Sequence, residues 1–304
     1  MTHRTLAVTG IDGFVGRHLA RLAVEHGWSV IGLARAADPD PELSSLLSEY
    51  HAGDLAQRWP ASLRADAVIH LAGLAAVGPS FDRPQEYLET NSAIVTLMCE
   101  AMLEWSTPPR LVGVSSGAVY GANSPDRAVD ERTPTAPTSP YVVSKLLVEQ
   151  QLGYYARRGI DTVIARPFNH IGPGQSTGFL VPDLAAALRA LAPGEELSTG
   201  NLATERDYTD VRDVAAAYLT LAEAPSHEHR VYNVCSGTAL AGYELLELVA
   251  SALELPVPRT VVDPARLRAV DNPRITGSAV RLHDEYGWAP QIDIAQSISD
   301  FVAA

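Results

Sequence analysis

Short apolar runs alternate with longer amphipathic stretches along the first two thirds of the chain. Five of these runs are rich in Val, Ile and Leu and are bounded by Gly, Pro or polar residues, which predicts buried parallel strands. They are TLAVTG (5–10), WSVIGLAR (28–35), ADAVIHLAG (65–73), RLVGVSS (110–116) and DTVIARPF (161–168). The stretches between them predict helices near 14–26, 85–105 and 140–158. This alternation indicates an α/β fold of the Rossmann type, a doubly wound parallel sheet with right-handed crossovers.

The second part of the chain predicts a smaller lobe. Pro and Gly become frequent from about 167 to 200, whereas YNVCSG (232–237) is typical of one more strand. We therefore expect a doubly wound domain at 1–166 to which 209–235 returns. A C-terminal lobe is expected from 167–208 and 236–304.

Composition restricts the partners. The net charge of −13 argues against nucleic acid and anionic membranes. MTHRTLAVTG lacks the features of a secretory signal, and no apolar run approaches about 18 residues, so we expect a cytoplasmic protein without a membrane span. Cys99 and Cys235 lack metal-ligand spacing, which favours two free thiols and no metal site.

Three glycines follow the first predicted strand, in TLAVTGIDGFVGRHLA. Gly10, Gly13 and Gly16 lie between that strand and the first helix. Glycine permits a tight turn and lets backbone N–H groups approach a pyrophosphate at the helix N-terminus. This position in a βαβ pattern favours a dinucleotide site.

Lys145 is the only lysine among the 23 lysine and arginine residues. Ser139 and Pro140 predict a helix start, which places Tyr141 and Lys145 one turn apart on one face. A tyrosine with a pKa of about 10 needs a nearby cation to exchange protons at neutral pH. Lysine supplies a compact charge on a flexible stem, which a planar guanidinium does not. The alternative is a solvated lysine beside a packing tyrosine.

With these features in place, the chain resembles the extended short-chain dehydrogenase/reductases over nearly its whole length. Within that family it is most similar to the GDP-6-deoxy-4-keto-D-mannose reductases, which form GDP-D-rhamnose, through RPFNHIGPGQSTGFLVPDL and ERDYTDVRD. The other motifs that carry the resemblance are TGIDGFVG, GDL (53–55), HLAG (70–73), Asn91, VSSGAVYG (114–121) and PYVVSK (140–145).

The resemblance implies a role for each matching residue. Tyr141 would be the general acid, Lys145 would tune its pKa and bind the nicotinamide ribose, and Ser116 would polarise the carbonyl. Ser115 is the nearest alternative to Ser116, with capping of a strand end and a cofactor contact both open. The implied cofactor-binding residues are Gly10, Gly13, Phe14, Val15, Gly16, Arg35, Asp54, Leu55, Leu71, Ala72, Gly73, Asn91, Ser115, Tyr141, Lys145 and Pro167.

The residues at the end of the second strand indicate whether the cofactor is NAD or NADP. An acid there would bind both ribose hydroxyls of NAD. GLAR has no acid until Asp38, and Arg35 could stack on adenine or pair with a 2′-phosphate, with an ordinary surface arginine as the alternative. NADP(H) is therefore favoured, NAD(H) remains an alternative, and Asp54 would meet the adenine amino group.

The residues next to Ser116, and Ala75 in the loop after the third apolar run, help to distinguish dehydration, epimerisation and reduction. The related 4,6-dehydratases carry acids one or two places after the hydroxyl residue, where this chain has Gly117 and Ala118. The 4-epimerases carry a lysine that grips NAD at the place of Ala75. The implied function is NADPH-dependent reduction of the 4-keto group of a nucleotide-linked 4-keto-6-deoxyhexose. GDP-4-keto-6-deoxy-D-mannose is favoured and a dTDP-linked analogue stays open. An NAD-dependent 4-epimerase and a non-catalytic NADP-binding regulator are the alternatives.

The resemblance also implies a nucleotide-sugar site and an assembly. Arg206 would pair with the pyrophosphate, and Arg268-Ala269-Val270-Asp271 corresponds to the RPSE block of the reductases with a shorter acid. His170 is interpreted as a brace for its loop, and a homodimer packed through the 85–105 and 140–158 helices is expected. The implied substrate-binding residues are Asn169, Phe179, Leu180, Val181, Arg206, Arg268 and Asp271.

Overall fold

The computed structural model describes residues 4–121, 127–267 and 272–304. Seven parallel strands form the central sheet, in the order β10-β6-β5-β4-β1-β2-β3, and the remaining strands form two small sheets. The strands are β1 (Arg4–Thr9), β2 (Trp28–Ala34), β3 (Leu47–Ala52), β4 (Ala67–His70), β5 (Arg110–Val114), β6 (Asp161–Pro167), β7 (Asn169–Ile171), β8 (Leu197–Thr199), β9 (Glu205–Asp210), β10 (Val231–Val234), β11 (Ala239–Ala241), β12 (Thr260–Val262) and β13 (Arg274–Ile275).

Helices cover both faces of the central sheet. Side chains of α1 and α7 pack on one face, and those of α4 and α5 pack on the other. None of the helices in the described ranges is long and apolar enough to cross a membrane. The helices are α1 (Phe14–Glu25), α2 (Pro41–Leu46), α3 (Val77–Asp82), α4 (Pro84–Leu103), α5 (Pro140–Arg157), α6 (Leu180–Ala190), α7 (Val211–Glu223), α8 (Gly242–Ala252), α9 (Val280–Tyr286) and α10 (Ile294–Ala303).

The Rossmann-type doubly wound sheet is confirmed, and six of its strands were predicted from apolar runs. The sequence missed β3, which pairs with β2 at the edge of the sheet. Its residues LSEYHA are mostly exposed or half-buried. An edge strand with little buried surface lacks the continuous apolar run by which the buried strands are recognised.

The start of α5 follows from local capping. The hydroxyl of Ser139 accepts a hydrogen bond from the backbone N–H of Val142 at 3.2 Å, and Pro140 occupies the first turn. A proline there costs no hydrogen bond because that N–H has no partner within the helix. The predicted helix start is therefore confirmed, and it fixes which residues of α5 face the end of β5.

Candidate active site

The site forms where β1 and β4, neighbours in the sheet, both end. The chain leaves these two strands in opposite directions along the sheet, and such a switch point is where α/β proteins bind nucleotides. The hydroxyl of Thr9 accepts from the N–H groups of Leu71 and Ala72 at 3.1 and 3.0 Å and bonds Nδ1 of His70 at 2.8 Å. Burial lowers the pKa of His70 to about 3, so the ring is neutral and Nδ1 accepts the Thr9 proton.

The first glycine loop leaves room for a phosphate because side chains are excluded. Gly10 has a φ of +70°, and a Cβ on it would lie 3.0 Å from the backbone nitrogen of Ala72. A Cβ on Gly16 would lie 2.5 Å from the carbonyl oxygen of Gly10. Gly13 is the N-cap of α1 and has no side-chain cap, while Phe14 and Val15 begin the helix. The N–H groups of this turn are the donors that a pyrophosphate needs, so the loop fits a dinucleotide.

Ser116, Tyr141 and Lys145 meet beside this loop. Nζ of Lys145 donates to the carbonyl oxygen of Val114 at 3.0 Å and lies 5.9 Å from the centroid of the Tyr141 ring. Tyr141 and Lys145 are 7% and 8% exposed, which excludes a solvated helical lysine. The hydroxyl of Ser116 caps a 3₁₀ turn through the N–H of Ala118.

Burial keeps Tyr141 protonated, and this shift is opposite to the lowering of its pKa that was expected from Lys145. Burial lowers the pKa of Lys145 to about 8, and the carboxylate of Glu149 opposes this change. Burial raises the pKa of Tyr141, and a hydrogen bond with Ser116 opposes that rise. The net shift of the tyrosine is therefore upward, whereas the ammonium alone would lower its pKa. At neutral pH the pair is a protonated phenol beside a charged ammonium.

Two predicted cofactor residues bond the protein itself. Asn91 is 2% exposed and uses its amide on the backbone of Leu74 and on the hydroxyl of Ser144, so it braces the loop after β4. Ser115 donates its hydroxyl to Glu149 at 2.5 Å. Both side chains therefore hold protein structure beside the site, and a contribution of either to cofactor binding stays a prediction.

The other predicted cofactor residues lie at the carboxyl ends of the strands. Arg35 is exposed directly after β2, and Asp54 follows β3, where it accepts from the N–H of Ala56 at 2.9 Å. Leu55 is buried beside it. Leu71, Ala72 and Gly73 follow β4, and Pro167 ends β6.

The predicted substrate residues are distributed over β7, β9 and the start of α6. Asn169 and Phe179 are exposed, and Leu180 is half-buried. Val181 is 1% exposed and packs in the apolar core of this region with Leu184 and Leu245, so its side chain supports the site without lining it. Arg206 lies on β9 and donates to the carbonyl oxygen of Glu205 at 2.8 Å. Arg268 and Asp271 fall outside the described residues.

His170 links the glycine loop to this second region. Its ring stacks on Phe14, with centroids 5.9 Å apart and an interplanar angle of 10°. Its Nδ1 lies 3.0 Å from the carbonyl oxygen of Phe168, and burial lowers its pKa. These contacts support its interpretation as a brace.

Sequence reasoning missed a buried ion pair behind the site. Glu149 follows Lys145 by one turn of α5, and Arg166 of β6 donates to both of its carboxylate oxygens at 2.8 and 2.7 Å. The i+4 spacing from Lys145 was a signal for Glu149. No local spacing joins Glu149 to Arg166, which is 17 residues later.

Comparison with known proteins places these features in context. Residues 6–235 match the NAD dependent epimerase/dehydratase family. The chain is 38% identical to GDP-6-deoxy-D-mannose reductase of Pseudomonas aeruginosa over 98% of this chain and 95% of that protein. The structure of RMD from Pseudomonas aeruginosa in complex with NADPH is similar, with 35% identity, a TM-score of 0.82, and 99% and 98% of the two chains covered. UDP-glucose 4-epimerase from Thermus thermophilus with NAD gives 27% identity, a TM-score of 0.86, and 98% of each chain.

The glycine cradle can be tested by adding one methyl group. We expect Gly16→Ala to abolish dinucleotide binding, since its Cβ would lie 2.5 and 2.6 Å from the carbonyl oxygens of Gly10 and Ile11. Gly153→Ala is the matched control, because its Cβ would meet nothing closer than 3.8 Å and alanine favours a helix. Binding is measured by NADPH fluorescence and folding by circular dichroism. Binding by Gly16→Ala equal to that of Gly153→Ala would contradict the cradle.

Proposed function

The chain belongs to the NAD dependent epimerase/dehydratase family, and within it we propose an NADPH-dependent 4-ketoreductase of nucleotide-linked 4-keto-6-deoxyhexoses. GDP-4-keto-6-deoxy-D-mannose is the favoured substrate and GDP-D-rhamnose the product. The observation that carries the proposal is that buried Tyr141 and Lys145 lie with half-buried Ser116 beside the glycine loop, which fits a dinucleotide. The 38% identity to GDP-6-deoxy-D-mannose reductase supports the choice of sugar.

The surroundings of Ser116 argue against dehydration. Elimination of water needs an acid or base close to the reacting sugar. Gly117 and Ala118 carry no such group. A Cβ on Gly117 would lie 2.7 Å from the ring of Phe168, so a side chain there requires the aromatic ring to shift.

Epimerisation is the alternative from within the family. The similar Thermus thermophilus epimerase contains NAD and shares the fold. In this chain the place of the family's NAD-gripping lysine is held by Ala75. Arg35 stands where an acid would bind the ribose of NAD. Both substitutions favour an exchangeable NADPH and net reduction.

The proposed mechanism assigns one task to each side chain. NADPH, which the turn at Gly10, Gly13 and Gly16 would hold, would supply the hydride for the C4 carbonyl carbon of the sugar. Ser116 donates a hydrogen bond to the carbonyl oxygen, which stabilises the negative charge that develops there. Tyr141 then transfers its phenolic proton to that oxygen, and Lys145 stabilises the phenolate that remains. Arg206 would pair with the pyrophosphate, which gives an acidic protein a local cation for an anionic substrate.

The reaction is tested by mixing the protein with NADPH and either GDP-4-keto-6-deoxymannose or the dTDP-linked glucose analogue. We expect the NADPH absorbance to fall with the GDP sugar. A fall with the dTDP sugar alone would keep the chemistry and change the substrate. Interconversion of UDP-sugars without added cofactor, with no NADPH oxidation, would favour the epimerase. NADPH binding with no turnover of any keto sugar would favour the non-catalytic regulator.

Cofactor choice is tested at Arg35. We expect wild-type protein to bind NADPH more tightly than NADH. In Arg35→Ala, NADPH binding should weaken by about 10- to 100-fold, the range of a hydrogen-bonded charge, with NADH nearly unchanged. Arg157→Ala removes an exposed arginine at the far end of α5 and is the matched control. Equal wild-type dissociation constants for the two cofactors, by fluorescence titration, would refute the assignment.

The requirement for lysine is tested with Lys145→Arg. We expect the protein to fold and its charge to be kept, while kcat falls by roughly 10²–10⁴-fold because a guanidinium misplaces the charge and the ribose contact. Steady-state kinetics measure kcat, and circular dichroism checks the fold. Near-full turnover in Lys145→Arg would show that any cation suffices at this position.

The remaining expectations stay part of this proposal. We assign cofactor binding to 1–166 with 209–235, and nucleotide-sugar binding to 167–208 with 236–304, because β10 returns to the central sheet whereas β11–β13 do not.

A homodimer through α4 and α5 is supported by the exposed apolar side chains Val143, Leu147 and Tyr154 on α5. Sedimentation velocity tests it. The two buried free cysteines support a cytoplasmic enzyme, and the acidic charge argues against nucleic-acid partners.

A further inference from the structure

The ion pair between Glu149 and Arg166 lies behind the proposed catalytic residues and is almost fully buried. The side chains of Arg166 and Glu149 are 8% and 6% exposed. Removing two charges from water is costly, and a buried pair of this kind often stabilises a fold no better than apolar residues would. Stability alone therefore does not account for its presence beside the site.

We propose that Glu149 is a positioning residue that holds the end of β5 against α5, so that Ser116, Tyr141 and Lys145 keep their mutual geometry. This inference rests on the proposed function for its kinetic consequence. Its structural part concerns residues that touch neither substrate nor cofactor in the mechanism above.

Three consecutive residues, the last of β5 and the two that follow it, each face a different residue of α5. The carbonyl oxygen of Val114 accepts from Lys145, and the hydroxyl of Ser116 lies near Tyr141, where it opposes the rise in the pKa of the tyrosine. Between them, Ser115 donates its hydroxyl to Oε1 of Glu149 at 2.5 Å. The bond of Ser115 therefore fixes the backbone on both sides of this residue. On one side is the carbonyl oxygen of Val114, which orients Lys145, and on the other is Ser116, whose hydroxyl lies near Tyr141.

The helix presents its three partners at regular spacing. Tyr141, Lys145 and Glu149 are each four residues apart, so they lie along one face of α5. A sideways or rotational shift of the helix against the strand would break the bonds of Lys145 and Glu149 together and move Tyr141 away from Ser116. Glu149 is the member of this set that the proposed chemistry does not use.

Arg166 keeps Glu149 in place. Its third nitrogen, Nη1, donates to the hydroxyl of Tyr120 at 2.9 Å, and that hydroxyl donates to Oδ1 of Asn233 at 2.6 Å. The network joins α5 to β6, to the turn after β5 and to β10. Because every partner is buried, the carboxylate cannot swing away from Ser115 without leaving charges unpaired.

Glu149 also acts on the charge of Lys145. Its carboxylate favours the protonated lysine against burial, which opposes the fall in the lysine pKa. Three other titratable groups that face Lys145 and Tyr141 are neutral at pH 7: His70 from the end of β4, Tyr87 of α4 and Tyr218 of α7. Arg166, bonded to Glu149, is a cation. Loss of the Glu149 charge should therefore make Lys145 easier to deprotonate.

The single lysine permits a direct measurement of this effect. Protein labelled with [ε-¹³C]lysine and freed of any tag gives one lysine signal, whose shift with pH reports the titration of Lys145. We expect Glu149→Gln to lower the titration midpoint by roughly one pH unit, since it removes the anion and leaves the Arg166 cation. Glu223→Gln, at another arginine-paired glutamate, should not change it. An unchanged midpoint in folded Glu149→Gln would overturn the proposal that the Glu149 carboxylate keeps Lys145 protonated.

The positioning part is tested with Ser115→Ala, which removes the bridging hydroxyl and no charge. We expect kcat to fall by about tenfold, within the range of a lost buried hydrogen bond, with the Lys145 midpoint unchanged. Ser297→Ala, at another fully buried serine, is the control and should keep its kcat. A purely structural serine would lower Tm in Ser115→Ala and leave kcat of the folded enzyme intact, and that result would overturn the proposal.

Failure of the proposed function and failure of Glu149→Gln to fold can each be distinguished from failure of the positioning role. If the wild-type protein oxidises NADPH with neither sugar, the proposed function fails, while the Lys145 titration still decides whether Glu149 acts on it. If Glu149→Gln does not fold, the double variant Glu149→Gln/Arg166→Met, which removes both charges of the ion pair, takes its place. A smaller downward shift of the Lys145 midpoint is then expected because the cation is removed with the anion, and an unchanged midpoint counts against the proposal.

Discussion

The hydroxyl of Thr9 joins the ends of β1 and β4, and the rest of the site depends on how closely these strands approach there. It accepts two backbone N–H groups from the loop after β4 and gives its own proton to a neutral histidine. The turn at Gly10 then passes so near Ala72 that a methyl group would be in tight contact. The cradle for phosphate and the loop beside the proposed catalytic residues are therefore parts of one rigid junction.

Burial sets the proton affinities of the pair that we propose as catalytic. It raises the pKa of Tyr141 and lowers that of Lys145 to about 8. The cost of burying the ammonium is offset by the carboxylate of Glu149 and by the carbonyl oxygen of Val114. If apolar groups replaced these polar neighbours, Lys145 would become neutral and Tyr141 would have no cation beside it.

The sequence was informative where one element carries the signal. Apolar runs predicted the six buried strands, and capping at Ser139 predicted the start of α5 and the shared face of Tyr141 and Lys145. It failed where the determining contact is between elements: β3 is an exposed edge strand, and the partnership of Glu149 with Arg166 exists only after α5 packs on β6. Val181 likewise sits in a motif that suggests a lining residue, whereas its orientation on α6 turns it into the core.

The single buried lysine also determines how the protein surface behaves toward carbonyl compounds. A primary amine condenses with a ketone or an aldehyde to form a Schiff base. The only lysine of this chain is 8% exposed, and every other basic side chain apart from histidine is a guanidinium. An enzyme that binds keto sugars in this way offers no lysine amine at its surface with which they could form a Schiff base.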